Sequence, residues 1–383
     1  MSAPAEEAGP EASAEAAPEA AERRGPTAPA PGLTTRIAGL DLARGIAVLG
    51  MVFVNFHVMM SNNEGAPWLR DFLIHLEGRA AALFIILAGC GVSLATRRPE
   101  RIPQVRPTLL KRALFLLVVG YAWSPIWEGD ILHFYGFYIG IGCLLLTRPA
   151  SWLWQVAAWC IAGFTALYFV GDYWADWDLE DLTYPAFWHP VGQLRNIIFN
   201  GWYPLLPWMA FFAVGMWLGR QPLRDEALRR RLFLVGLEIA IGAELLSRVL
   251  TGYIDAFMGP LLENPYMATL YDMFRAEPLP PSPLFMLAGG GSALAVAIGC
   301  LWIAERWPRA TLPLTAAGQL AFSLYVGHVY LGIWPLERFG FVPIPIVMLR
   351  ATLFCAAALL FATVWRRYFA RGPIEWVMRR LCG

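Results

Sequence analysis

Charged residues are scarce in this sequence. They make up 15% of the 383 residues, whereas 57% are hydrophobic, including 17 Trp and 23 Phe. That is more apolar material than one soluble core of this length requires. The formal net charge of +1 provides no overall attraction for a polyanion. We therefore expect a membrane protein, in contact with membrane lipid, that has no nucleic-acid partner.

The motifs of several kinds of chemistry are also missing. The sequence has no phosphate-binding glycine loop, no GxSxG nucleophile elbow and no HExxH zinc helix. Its six Cys show no CxxC spacing and no neighbouring histidine ligands. Neither a zinc site nor a disulfide framework is indicated, and we expect no metal.

The first 34 residues differ from the rest of the chain. They are rich in Ala, Pro and Glu, with no aromatic residue and one Leu, and are acidic as far as Arg23. Such a segment buries too little surface to offset the entropy of ordering, and it lacks the basic start and apolar stretch of a secretory signal peptide. The predicted organisation is a disordered tail over 1–34, a helical membrane domain over 35–369 and a basic cytoplasmic tail over 370–383.

Apolar segments long enough to cross a bilayer recur after residue 36, each needing roughly 20 residues. The fold class that they predict is all-α, a polytopic bundle of about ten transmembrane helices. The third and fourth segments nearly touch and predict a tight hairpin with Glu128 at its tip. The ten segments are 37–60, 71–95, 109–127, 131–147, 151–171, 201–219, 232–251, 283–304, 313–334 and 341–368.

Arg and Lys are distributed unevenly between alternate connections. One set of connections, which includes both ends of the chain, holds 22 of the 30 basic residues. The opposite set holds Arg70, Arg195, Arg275 and Arg338. Because basic loops resist translocation, this bias predicts an even number of spans with both termini in the cytoplasm.

The two longest external connections, 172–200 and 252–282, are rich in Trp, Tyr, Pro and acidic residues. One interpretation is an aromatic belt at the membrane interface with solvated acids. The other is a lid or an acceptor-binding surface, because aromatic faces and carboxylates suit sugars or amines. The sequence leaves both open.

Ionisable side chains inside a bilayer are costly unless they pair or line a wet cavity, so each is a functional candidate. In the first span, Arg44 and Asn55 fall on nearly the same line of the helix, with Asp41 close to it. His57 points to the other side unless the helix bends after Asn55. The candidates are Asp41, Arg44, Asn55, His57, His75, Glu77, Arg79, Glu128, Asp130, His133, Glu238, Glu244, Arg248 and His328.

The spacing of these residues predicts some of their partners. In the second span His75 and Arg79 lie four apart and face one another, whereas Glu77 needs a partner from another helix. Glu77 and Arg79 either have a functional role or each form a structural ion pair with another helix. Asp130 precedes His133 by three residues, so its carboxylate could orient the imidazole as a general base requires, or it could simply cap the helix.

Several stretches resemble known families. GLDLARGIAVLGMVFVNF at 39–56, YPLLPWMAFFAVGMWLGR at 203–220 and LYVGH at 324–328 resemble the heparan-alpha-glucosaminide N-acetyltransferase family of membrane enzymes. DILHFYGFYIG at 130–140, PPSPLF at 280–285 and RGPIEWVMRRL at 371–381 resemble the bacterial YeiB-like membrane family of unknown function. These stretches are distributed along most of the chain after residue 36.

The acetyltransferase resemblance implies transfer of acetyl from cytoplasmic acetyl-CoA to an amino sugar across the membrane. It places Asn55 at the position of the family's asparagine on the first helix, which acts with a histidine in the following loop. That loop here reads MMSNNEGAPW and has no histidine. The base is left open among His57, His75 and His133.

The first hypothesis is a transferase using acetyl-CoA or another acyl-CoA as co-substrate. In it Asn55 and Arg44 orient the thioester, and His57 or His133, the latter with Asp130, deprotonates a small-molecule or glycan acceptor. Donor or acceptor binding is assigned to Asp41, Arg44, His75, Glu77, Arg79 and His328. The alternatives are a proton-coupled transporter of a small solute or lipid, and a non-catalytic scaffold. The expected location is the bacterial cytoplasmic (inner) membrane, with a homodimer possible.

Overall fold

The structure is a computed structural model that describes residues 36–180 and 182–383. The prediction of a disordered tail over 1–34 lies outside these residues. Within them the chain is predominantly helical, and β pairing is confined to three isolated bridges. The all-α prediction is therefore confirmed.

Sixteen α-helices follow one another along the described residues. They are α1 Ala38–Met60, α2 Pro67–Leu76, α3 Arg79–Ala95, α4 Ile102–Trp123, α5 Leu132–Leu145, α6 Ala150–Val170, α7 Pro190–Arg195, α8 Leu205–Arg220, α9 Glu226–Phe257, α10 Pro265–Phe274, α11 Pro283–Arg306, α12 Leu312–Gln319, α13 Ala321–Gly327, α14 Trp334–Leu336, α15 Ile344–Tyr368 and α16 Pro373–Cys382. Two π-helical segments, Asn196–Asn200 and His328–Ile333, follow α7 and α13.

Each of the ten apolar segments coincides with one helix or with consecutive helices. The second segment is divided between α2 and α3, and the ninth between α12, α13 and the π-helical segment after it. The segment 370–383, expected as a basic tail, contains α16, which packs against α4 and α13. The apolar segments of the sequence thus located the long helices but did not show the breaks within them.

Helix α1 occupies the centre of the bundle and packs against α3, α11, α12 and α15. A second layer is formed where α8 packs on both α3 and α6. Glycines permit the close crossings: a Cβ on Gly291 of α11 would lie 2.6 Å from the Gly236 carbonyl oxygen of α9. Small residues at helix interfaces let backbones approach in this way.

The outer surface of the bundle is apolar, the reverse of a soluble protein. Along α15 the exposed large side chains include Leu349, Leu353 and Leu360, at 58%, 62% and 67% exposure. Along α9 they include Leu234, Ile241 and Val249. Stripes of this length suit the hydrocarbon of a bilayer and not water. The chain is a multi-pass membrane protein.

Five helical segments in the described residues are long and apolar enough to cross a membrane, and a sixth is added if the pair Pro190–Asn200 and Leu205–Arg220, bent by 49°, is one span. The other predicted spans are not long and apolar enough as single helices, each for a local reason. Helix α4 carries Arg106, Lys111 and Arg112 in its first half, and α5 is only 14 residues long. Helix α9 carries Glu238, Glu244 and Arg248, and the α12–α13 segment is broken at Leu320. The total of ten spans and the cytoplasmic termini stay predictions.

Candidate functional site

A cavity of about 270 Å³ opens where the C-terminal part of α1 meets the α2–α3 break and the α4–α5 connection. Its wall combines two carboxylates, one carboxamide and several aromatic rings. It is lined by Val54, Asn55, Val58, Met59, Glu77, Gly78, Pro125, Ile126, Trp127, Glu128, Gly129, Leu182, Thr183, Trp202, Tyr203, Trp208, Pro278 and Leu279.

The break between α2 and α3 directs Glu77 towards this cavity. Gly78 has φ +71°, a left-handed conformation that glycine adopts without a steric penalty. A Cβ at Gly78 would lie 2.5 Å from Cβ of Pro278 and 2.6 Å from the ring of Phe285. Both the backbone angle and the space therefore require glycine here, and a continuous helix through residue 77 would turn the carboxylate elsewhere.

Asn55 contacts His328 across the bundle. Nδ2 of Asn55 lies 2.9 Å from Nε2 of His328, and the histidine is fully buried. Nδ1 of His328 is hydrogen-bonded to the backbone carbonyl of Tyr325, which can only accept, so Nδ1 carries the proton. Nε2 is then an acceptor, and the Asn55 amide donates to it. The neutral tautomer of His328 is thereby defined by its two partners.

Tyr325 joins this pair to the α4–α5 connection. Its hydroxyl accepts the Ile131 N–H at 3.2 Å, while its carbonyl accepts from His328. The ring of Trp127, which lines the cavity, lies 6.1 Å from the His328 ring. His328 and Tyr325 do not line the cavity themselves but lie directly behind two residues that do, Asn55 and Trp127.

His57 does not join Asn55, because α1 stays regular through residue 60. Its Nε2 lies 3.0 Å from Oδ1 of Asn63, and its Nδ1 lies 3.5 Å from Oε1 of Glu77. Both ring nitrogens thus face oxygen atoms. The imidazole of His57 is thus directed towards Asn63 and Glu77 and away from Asn55.

Glu128 links the cavity to the long connection 172–200. Its Oε2 accepts the Tyr184 N–H at 2.8 Å. Partial burial raises the pKa of the Glu128 carboxyl above its ordinary value, and the hydrogen bond from Tyr184 opposes that shift. Glu128 and Glu77 are two acidic groups on one cavity wall, where a cationic or hydroxyl-rich ligand would find acceptors.

The connection 172–200 is ordered around Asn200. The Asn200 side chain donates to the carbonyls of Tyr173 and Ala175, each at 2.9 Å, and accepts from the Tyr184 hydroxyl at 3.1 Å. Leu182 and Thr183 of this connection line the cavity. Of the two interpretations of this connection, a cover over the site is the one that these contacts favour.

Asp130 and His133 form the expected pair, buried beside the site and not within its wall. Nδ1 of His133 donates to Oδ2 of Asp130 at 2.9 Å, and the backbone N–H of His133 donates to the same oxygen at 3.1 Å. The imidazole packs against the rings of Tyr121, Phe134 and Phe187. Neither residue lines the cavity.

Asp41 and Arg44 lie towards the opposite end of α1 from Asn55. Arg44 Nη1 donates to Asp41 Oδ1 at 2.7 Å, and Gln319 of α12 donates to Asp41 Oδ2 at 3.2 Å. Eleven residues separate Arg44 from Asn55, about 16 Å along a helix. The structure therefore does not bring Arg44 and Asn55 to one point.

His75 and Arg79 belong to a polar cluster between the α2–α3 break and α9. Arg79 Nη2 lies 2.7 Å from Glu244 Oε2, and His75 Nε2 lies 3.0 Å from Glu244 Oε1. Arg248 contacts both His75 and Glu244. This is the interhelical ion pair that the sequence offered as the structural alternative for Arg79.

Sequence reasoning missed two features of the site. His328 was assigned to ligand binding and not to Asn55, because nothing local relates residues 273 positions apart. Trp127, Trp202, Tyr203 and Trp208 were not singled out, although aromatic residues beside Glu128 were a usable signal. Among the described residues, no group of three or more His, Cys, Asp or Glu side chains could hold a metal ion.

The fold and the site together define a multi-pass helical membrane protein in which an asparagine of a carboxylate-lined cavity pairs with a buried histidine. The chain belongs to the family described as heparan-alpha-glucosaminide N-acetyltransferase, catalytic, whose sequence model matches residues 36–246. A second model, described as a protein of unknown function (DUF418), matches residues 217–383. The predicted overlap of the two families is confirmed. Asn55 lies in the first matched region and His328 in the second.

Two curated bacterial proteins are similar over nearly their whole length. The uncharacterized protein YxaH of Bacillus subtilis (strain 168) is 22% identical over 405 aligned positions, covering 90% of this chain and 93% of that protein. The uncharacterized protein YeiB of Escherichia coli (strain K12) is 26% identical over 392 positions, covering 89% and 95%.

Proposed function

We propose that this protein is a membrane acyltransferase that moves an acetyl or other acyl group from acyl-CoA to an amine or hydroxyl acceptor held in the cavity. The observation that carries the proposal is the hydrogen bond that Asn55, at the wall of that cavity, makes with the buried His328 behind it. Membership in a family named for acetyl transfer supports the reaction type.

The acceptor side of the reaction is assigned to the cavity. Carboxylates of Glu77 and Glu128 suit an ammonium group or sugar hydroxyls, and the rings of Trp127 and Trp202 supply apolar faces. The positive-inside bias of the sequence would place this end outside the cytoplasm. An acceptor bound here would be reached from the outer side of a bacterial inner membrane.

His328 is the best-placed base for the acceptor. Its Nδ1 proton is engaged by Tyr325, and its Nε2 lone pair accepts from the Asn55 amide until the acceptor replaces that hydrogen bond. In transfer, Nε2 takes the proton from the acceptor nitrogen or oxygen as that atom attacks the thioester carbonyl carbon. The carbon–sulfur bond then breaks, and the CoA thiolate leaves with the proton from Nε2, which returns His328 to its neutral form. The Asn55 amide is placed to donate to the oxyanion that develops.

The donor side is assigned to the other end of α1. Arg44 and Asp41 lie there with Gln319, and basic residues of the 96–112 segment are available for the CoA phosphates. Helix α1 carries Arg44 towards one end and Asn55 towards the other. The acyl group, still bound to CoA, would therefore extend along this helix to reach Asn55.

The test is binding of acetyl-CoA to the purified full-length protein in detergent, followed by transfer of labelled acetyl to glucosamine and to a neutral sugar. We expect saturable binding that Arg44→Ala weakens, and transfer that Asn55→Ala and His328→Ala abolish. Arg70→Ala is the matched control, since Arg70 is exposed and pairs only with its neighbour Asp71. No binding at millimolar acetyl-CoA would contradict the proposal and turn attention to solute uptake by proteoliposomes.

A further inference from the structure

Glu375 of the C-terminal helix α16 caps the start of α13. Helix α12 ends at Gln319, and the break at Leu320 leaves the first N–H groups of α13 without acceptors in their own helix. Oε1 of Glu375 accepts the N–H of Phe322 at 2.9 Å and of Ser323 at 3.0 Å. A residue 52 positions away thus supplies the acceptor that a local cap would normally provide.

Ser323 completes the contact in both directions. Its hydroxyl donates to Oε2 of Glu375 at 2.5 Å and accepts the N–H of Ile374 at 3.0 Å. Four hydrogen bonds therefore join the start of α13 to the first turn of α16. We refer to this set of bonds between Glu375, Ile374, Phe322 and Ser323 as the Glu375 cap.

The Glu375 cap explains part of the stretch RGPIEWVMRRL. A Cβ at Gly372 would collide with Oε2 of Glu375 and would lie 2.9 Å from Oγ of Ser323. Glycine at position 372 thus leaves room for the carboxylate to reach α13. The following Pro373 begins α16, where its missing N–H costs no hydrogen bond.

Helix α13 is only seven residues long and leads directly into the π-helical segment that begins with His328. Tyr325, two residues after Ser323, accepts from Nδ1 of His328 and also from the Ile131 N–H. The orientation of the imidazole therefore depends on where α13 begins. A short segment interrupted at both ends has few bonds of its own to hold that position.

We infer that Glu375 is a positioning residue that acts through α13 to keep Nε2 of His328 against the Asn55 amide. The C-terminal helix is then part of the site's support, although it touches neither Asn55 nor the cavity. The consequence for catalysis rests on the proposed function, whereas the positioning of His328 does not.

The experiment uses the full-length protein in detergent, with Glu375→Ala, the milder Ser323→Ala, and exposed Glu100→Ala as the matched control. Backbone hydrogen exchange of 321–333 is measured by mass spectrometry. Carbethoxylation of His328 by diethyl pyrocarbonate is followed in the same samples. Loss of a hydrogen bond to a charged group changes an equilibrium constant about tenfold or more. We therefore expect the rates of exchange and of carbethoxylation to rise about tenfold in Glu375→Ala, less in Ser323→Ala and not in Glu100→Ala.

Transfer kinetics supply the third readout. If the protein transfers acetyl, Glu375→Ala should lower kcat and shift the pH at which the rate is half maximal, while Glu100→Ala leaves both unchanged. If exchange and carbethoxylation in Glu375→Ala and Ser323→Ala proceed at the same rates as in the wild type, the inference is overturned. Faster exchange with unchanged carbethoxylation would also overturn it, because α13 would then not govern His328. A wild type that transfers nothing contradicts the proposed function alone, since carbethoxylation still decides the role of Glu375.

Discussion

The side-chain amide of Asn55 donates a hydrogen bond of 2.9 Å to Nε2 of His328, a residue 273 positions further along the chain. The contact joins the region that matches the acetyltransferase family to the region that matches the family of unknown function. One side of Asn55 faces a cavity and the other a buried imidazole. The pair therefore connects a ligand-sized space to a proton acceptor.

Removing the Asn55 side chain should abolish transfer without unfolding the protein. Asn55→Ala deletes the donor to His328 and to the developing oxyanion, so we expect a loss of about 10²- to 10⁴-fold in kcat. Initial rates with labelled acetyl-CoA measure this. Asn62→Ala is the control, because Asn62 is exposed and its side chain hydrogen-bonds to Glu64 of the same loop. A variant at position 55 with near wild-type kcat would remove Asn55 from the mechanism.

The acidity of Glu128 should appear in the pH dependence of acceptor binding. An ionised Glu128 attracts a cationic acceptor, and protonation as pH falls removes that attraction. Because burial raises the pKa of Glu128, the loss should begin at a higher pH than an ordinary glutamate would show.

Glu128→Gln should weaken binding of glucosamine about tenfold at neutral pH, because a neutral amide replaces a charged hydrogen-bond acceptor. It should also remove the change in glucosamine affinity that accompanies protonation of Glu128. Calorimetric titration from about pH 4 to about pH 8, a range that includes the carboxyl pKa, measures both effects. Glu100→Gln serves as control. The same pH dependence in Glu128→Gln and wild type would show that another group is responsible.

Gly78→Ala should destabilise the protein because position 78 combines a positive φ with a crowded environment. We expect a loss of about 1–3 kcal/mol in the free energy of unfolding, the usual cost of such strain. Thermal unfolding in detergent provides the measurement. Gly140→Ala on α5 is the matched control: nothing lies within 4 Å of a Cβ there, so its effect should stay within about 1 kcal/mol. Equal melting temperatures for the two variants would refute the requirement for glycine at 78.

The orientation of the bundle predicts which loops face outward. Cysteines introduced at Asn62 and Leu179 should react with a membrane-impermeant maleimide in intact cells. Cysteines at Glu100 and Arg309 should react only after permeabilisation. The wild type gives the background, since its six cysteines are free and five of them are buried. Labelling of Glu100→Cys in intact cells would overturn the predicted orientation.

The sequence by itself determined the membrane class, the position of the ten apolar helical segments and the local Asp130–His133 pair. These follow from apolar run length and from spacing within one helix, which are short-range properties. It also placed Asn55 on the first helix and indicated the family. Its spacing argument that His57 needs a bend to join Asn55 agrees with an α1 that stays regular through residue 60.

Tertiary structure alone decided which histidine meets Asn55 and where the carboxylates point. His328 reaches Asn55 because α13 and α1 pack together, and Glu77 faces the cavity because Gly78 breaks the second segment with a positive φ. Glu375 caps α13 from a helix 52 positions away. Pairings of this kind depend on how helices pack, and helix packing is set by the sum of many side-chain contacts that no local pattern in the chain encodes.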